Sequence, residues 1–203
     1  MQATRQRYRI TVIALLTSAS LLAGCTGDDK PQVSTQTTTT EASAETTTST
    51  SACSVSGVNT DQKTANGDGT IALLTDVRSG RQPCADRVVF DFRAGTRPSY
   101  TVEYQTGPTF ALGESEQTVT VEGSAFLVVR FEPGAGVDLS GPQFVETYTG
   151  PASIHPTGLS HVREIRRIED FEAVLIWVIG LDTTRPFSVG VLDGPPRVYV
   201  DIS

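Results

Sequence analysis

The chain has 203 residues, with 16 basic against 23 acidic side chains and a formal net charge of −7. That balance argues against a partner built on phosphate: the long-range field repels nucleic acid and anionic headgroups, and no basic run is present to overcome it, Arg166 and Arg167 being the only adjacent pair. The pair sits among Glu164, Glu169 and Asp170, which reads as a solvated strand or turn edge.

Taken in chain order, the first element is an export signal. Arg5, Arg7 and Arg9 precede an apolar run from Ile10 to Ala23, already diluted by Thr17, Ser18 and Ser20 and too short to span a bilayer. The run ends at Leu22-Ala23-Gly24-Cys25, which resembles the bacterial lipobox. That resemblance implies a cleaved lipoprotein signal over residues 1–24 and a lipid-modified Cys25 as the first mature residue. The mature protein is then held by palmitate-type acyl chains on the extracytoplasmic face of the cell membrane. Removing residues 1–24 deletes three arginines and no acids, so what remains is more acidic still.

Residues 25–52 form the second element, a threonine-rich stretch with runs at Thr37 to Thr40 and Thr46 to Thr48 and almost no large apolar side chain. Such a composition buries too little surface to fold and reads as a disordered tether. From Cys25 to Cys53 it reaches at most about 90 Å and averages roughly 30 Å as a coil. With Cys25 assigned to lipid, Cys53 and Cys84 remain as an even pair in an oxidising compartment, and a disulfide between them is expected. Closing that loop stabilises the fold by roughly 3–4 kcal/mol on the chain-entropy account. No Cys-x-x-Cys spacing occurs, and His155 and His161 lie far from both cysteines, so neither a metal nor a cofactor is called for.

Residues 53–203 are of single-domain size and patterned for strands. Tyr100, Val102 and Tyr104 alternate with polar residues; so do Val119 and Val121, and Phe187, Val189 and Val191. Breakers such as Gly107-Pro108, Pro133 to Gly136, Gly150-Pro151 and Gly194 to Pro196 separate the runs. The pattern predicts an all-β fold, an antiparallel β-sandwich or partly open barrel of about ten short strands. The run from Ala173 to Ile179 is apolar on both faces and is expected at the centre of the core, with Trp177 inside it. Val162, Ile165 and Ile168 have helix-like spacing, but a strand is favoured there, joined to the apolar run by a hairpin turning at Glu169-Asp170.

Two segments echo one another: Arg87-Val88-Val89-Phe90-Asp91-Phe92 and Arg197-Val198-Tyr199-Val200-Asp201-Ile202. On a strand each has one apolar and one charged face, and its own Arg and Asp stand about 13 Å apart, too far to pair. Laid antiparallel, the two strands place Arg87 opposite Asp201 and Asp91 opposite Arg197, an ion-pair face that is also a candidate binding face.

These two segments, with Pro98 to Tyr104, Asp170 to Val174, Trp177 to Asp182 and Pro186-Phe187, resemble the AMIN-like domain of secreted and lipoprotein chains in Gram-positive bacteria. The resemblance covers the whole folded part. It implies kinship to AMIN domains, β-sandwiches that accompany cell-wall amidases and secretins and can bind peptidoglycan. Where the family pattern has a glycine and an aromatic before Asp86, this chain has Cys84-Ala85.

Catalytic groupings are weak. Ser153, His155, Ser160 and His161 lie near each other, yet no Gly-x-Ser-x-Gly elbow is present. Glu172, beside the apolar run, is the one acid suited to glycosidase-type chemistry, and its simpler reading is a strand-end residue paired with an arginine. Trp177 belongs to the core, and Tyr100 and Tyr104 share the core face with Val102, which leaves Tyr148 and Tyr199 as surface contacts for a sugar. The expected function is a non-catalytic, lipid-anchored envelope domain that binds peptidoglycan or another cell-wall glycan. The alternatives are a protein-interaction module of an envelope complex and, behind it, a cell-wall hydrolase.

Overall fold

The computed structural model describes residues 57–203. The signal sequence, Cys25, the tether and Cys53 lie outside them. Fifteen strands follow in order: β1 Lys63–Ala65, β2 Ala72–Gln82, β3 Ala85–Phe92, β4 Tyr100–Gln105, β5 Thr109–Ala111, β6 Thr118–Thr120, β7 Ala125–Phe131, β8 Gly134–Ala135, β9 Val137–Asp138, β10 Val145–Glu146, β11 Ser153–Ile154, β12 Val162–Phe171, β13 Val174–Leu181, β14 Phe187–Leu192 and β15 Arg197–Ile202. The excess over ten comes from two- and three-residue pieces that the breakers leave room for.

The strands form a six-stranded sheet, ordered β1-β4-β7-β13-β12-β11, and a five-stranded sheet, ordered β14-β15-β3-β2-β8. Val88, Phe90, Val198 and Val200 from one and Leu127, Val129, Trp177 and Ile179 from the other share a single buried cluster, which makes the domain a β-sandwich. Phe131 stands edge-on between Phe90 and Phe92, with ring centroids 5.1 and 4.9 Å away. Pairs of this kind contribute about 0.5–1.5 kcal/mol beyond the area they bury.

The double-sided apolarity of β13 has a direct cause. Leu175, Trp177 and Ile179 point into the sandwich, while Val178 and Ile176 point outward into a second cluster with Phe110, Val121 and Phe126. The β5–β6 hairpin lies over that outer face, so the middle of the six-stranded sheet is dry on both sides.

Val162 to Phe171 is a strand, but the β12–β13 turn is not at Glu169-Asp170. Glu169 and Asp170 are ladder members opposite Ile176 and Leu175, and the turn residues are Glu172 and Ala173, at φ 49° and 61°. That is the left-handed pair of a two-residue hairpin. Asp170 is held in the strand by its own bonds: it accepts from the Gly136 N–H at 2.9 Å and from Arg167 at 3.0 Å.

The sandwich has two distinct ends. The described chain enters at one of them, where Asn59 bridges Phe187 at the start of β14, and the β2–β3 turn carrying Cys84 lies at the same end. The β12–β13 turn, the starts of β2 and β15 and the tops of β3 and β14 lie at the other.

Candidate functional site

The echoed strands are neighbours. β15 pairs antiparallel with β3, placing Arg197 opposite Asp91 and Asp201 opposite Arg87. The Arg87 guanidinium grips Asp201 with two hydrogen bonds of 2.6 and 2.7 Å, and this bond raises the arginine pKa above its ordinary value. Asp91 behaves differently. Its two oxygens take Arg78 of β2 at 2.8 and 3.1 Å, while Arg197 stays 4.0 Å away and donates to the Pro195 carbonyl. Arg78 reaches the face because β2 is the other neighbour of β3, a pairing that no sequence echo announces.

Tyr199 stands in the middle of this face without a free ring. The Arg87 guanidinium lies over it at 4.0 Å, and the ring covers Gly190 on β14, where a Cβ would collide with it. Sugar stacking on Tyr199 first requires Arg87 to leave. Tyr148, expected at the surface, is 5% exposed: its ring packs edge-on against Trp177 at 5.4 Å, its hydroxyl donates to the Pro151 carbonyl, and burial pushes its phenol pKa up. Glu172 is an exposed turn residue with no ion-pair partner among the described residues, because the displaced turn carries it away from the arginines.

Ser153, His155, Glu122 and Glu164 do meet. His155 Nε2 lies 3.1 Å from Ser153 Oγ, and Nδ1 lies 3.5 Å from Glu122. The Ser153 proton, however, goes to Glu164 at 2.6 Å, so the hydroxyl meets His155 as an acceptor and not as a nucleophile to be deprotonated. Glu164 is itself a buried structural acceptor, also taking the Glu122 N–H at 2.8 Å. His161 sits beside Asp182 at 3.4 Å. Among the described residues no group of three or more His, Cys, Asp or Glu side chains is arranged to hold a metal ion.

The feature best suited to a ligand is a groove of about 540 Å³ at the end where the described chain enters. Its rim carries the exposed side chains of Thr60, Gln105, Thr106, Ser124 and Thr184, with Tyr104 and Phe126 behind them. No formal charge lines it, in a domain whose acids outnumber its bases. The hydroxyls of Thr60, Thr106, Ser124 and Thr184 have no hydrogen-bond partner among the described residues, so they are available to a polyhydroxylated ligand.

The back of the groove is fixed. The Tyr104 hydroxyl donates to the Arg185 carbonyl at 2.7 Å and accepts the Arg185 N–H at 2.9 Å, and burial raises its pKa. Arg185 is turned toward Asp182, at 2.9 Å, which holds that carboxyl down at about 2. Phe126 leans edge-on against Phe110 at 5.6 Å. The backbone at Gly107 lies so close to the Phe126 ring that any side chain there would clash with it. Sequence patterning missed this site because its residues sit in the segments around Gly107-Pro108 and Pro186, which read as connections.

The domain is a β-sandwich, antiparallel except where β8 pairs parallel with β2, with an uncharged groove at one end and a laddered ionic face. A family model for the AMIN-like domain matches residues 72–203, and the chain belongs to that family. Neither a curated protein nor a solved structure matches it.

Proposed function

We propose that the protein is a non-catalytic, lipid-anchored module that binds cell-wall glycan, with the groove around Tyr104, Gln105, Thr106, Ser124 and Thr184 as its binding site. The observation that carries this reading is the groove's chemistry. Hydroxyl and amide groups beside a half-buried tyrosine suit neutral sugar, whose hydroxyls donate and accept at once and whose apolar ring faces need an aromatic neighbour. Family membership supports a role in the envelope. The leader and Leu22-Ala23-Gly24-Cys25 support export and acylation of Cys25, with residues 25–52 as the tether through the wall layer. With Cys25 acylated, Cys84 at the β2–β3 turn and Cys53 remain as an even pair in an oxidising compartment, which supports a disulfide fastening the end of the tether to the domain.

Two experiments test this. Full-length protein is sedimented with purified peptidoglycan: retention is expected, with loss of at least about tenfold in the Gln105→Ala/Thr106→Ala double variant, whose side chains are exposed, that of Gln105 bonding only the Glu103 carboxylate. Equal retention of wild type and variant sinks the groove, and no retention of either sinks glycan binding. Cys25→Ser is expected to release the chain from membranes into the medium; continued membrane association would refute the anchor.

A further inference from the structure

At the end opposite the chain's entry, the sandwich exposes apolar surface. The six large apolar side chains left exposed among the described residues are Ile71, Leu139, Phe144, Val145, Phe171 and Leu192. All six map to this end: Ile71 precedes β2, Leu139 to Val145 form the β9–β10 loop, Phe171 closes β12, and Leu192 ends β14. Phe144 is 83% exposed and Leu139 64%. Between Ile71, Leu139 and Ala173 an apolar cavity of about 370 Å³ opens. A soluble domain does not keep this many large apolar groups at one end for its own stability.

The surrounding charge indicates what covers them. Glu114, Glu169, Glu172 and Asp193 border this end, and none has an ion-pair partner among the described residues. Most arginines nearby are committed, Arg93 to Asp138, Arg130 to Glu132 and Arg167 to Asp170, while Arg197 donates to the Pro195 carbonyl; Arg97 is the one exposed guanidinium at this end with no ion-pair partner among the described residues. An apolar centre whose rim carries more unpaired acids than bases complements an apolar patch ringed by lysine or arginine. We infer that this end is a protein-docking surface for an envelope protein presenting apolar side chains within a basic rim. It is separate from the glycan groove and does not depend on it.

The test uses the full chain carrying Cys25→Ser and a dye-labelled peptide of alternating leucine and lysine, with a leucine–glutamate peptide as the opposite-charge probe. The leucine–lysine peptide is expected to bind, to weaken as salt rises, and to lose about tenfold affinity in the Leu139→Ser/Phe144→Ser variant. Glu114→Gln/Glu169→Gln is expected to flatten the salt dependence, whereas Glu122→Gln, at the entry end, leaves it unchanged. All these side chains are exposed or rim groups, and an unchanged thermal melt verifies that each variant folds. Equal binding of both peptides, or binding indifferent to these substitutions, overturns the inference. So does partition onto phosphatidylcholine vesicles through Leu139 and Phe144, which assigns the surface to lipid, and so does a dimer lost in the double serine variant, which assigns it to a second copy.

Discussion

The two ends of the sandwich are built on opposite principles. At the entry end, polar side chains are spent on backbone: Asp86, 1% exposed, accepts the N–H groups of His161 at 2.5 Å and Val162 at 3.2 Å, and the Tyr104 hydroxyl closes on both backbone groups of Arg185. These bonds stitch one sheet to the loops of the other and leave uncharged hydroxyls along the groove. At the far end, apolar side chains stand in solvent beside carboxylates with no cation. The first arrangement stabilises the fold and shapes a rigid groove. The second contributes little to the fold, which is what a surface awaiting a partner looks like.

The largest effect that sharpens this contrast is expected from Asp86→Ala, which strands two buried N–H donors; urea unfolding should show a loss of about 2–3 kcal/mol. Tyr104→Phe keeps the ring and removes only the hydroxyl, so about 1–1.5 kcal/mol is expected by the same measurement, together with weaker glycan retention. Asp182 gives a pH signature. Its folded-state carboxyl is held at about 2 against 3.8 for the unfolded group, so its contribution is complete above pH 3.8 and disappears as pH falls through about 2. Because this site is partly solvated, Asp182→Asn is expected to remove no more than about 1 kcal/mol at pH 7, and to narrow the stability gap between pH 4 and pH 2 in acid titrations. Smallest of all, Phe144→Ser should change stability by less than about 0.5 kcal/mol and raise solubility. A loss as large as that of Tyr104→Phe would break the contrast, since it would place Phe144 in the fold and not on a docking surface.

The strands were readable because alternation and breakers act locally. Val88, Phe90 and Phe92 alternate with Arg87, Val89 and Asp91, as Val198, Val200 and Ile202 do with Arg197, Tyr199 and Asp201, and the Arg-Val-x-x-Asp-apolar echo marked two segments that are neighbours in one sheet. Even the doubly apolar β13 announced its central place. The motifs also carried the family. Partner choice within the charged face was not readable: whether Asp91 takes Arg197 or Arg78 depends on which strand closes the other side of β3, and on a guanidinium's reach across it.

Sequence by itself determined the all-β class, the family, and the expectations of export and tethering, because strand periodicity, turn chemistry and a leader's charge and length are properties of short stretches. Tertiary structure alone decided that Tyr148 is core, that Arg87 covers the ring of Tyr199, and that the turn falls at Glu172-Ala173. It alone also gathered Thr60, Gln105-Thr106, Ser124 and Thr184, four separate places along the chain, around one groove. Burial and proximity arise from packing one sheet on another, and no local pattern encodes which loops that packing brings together.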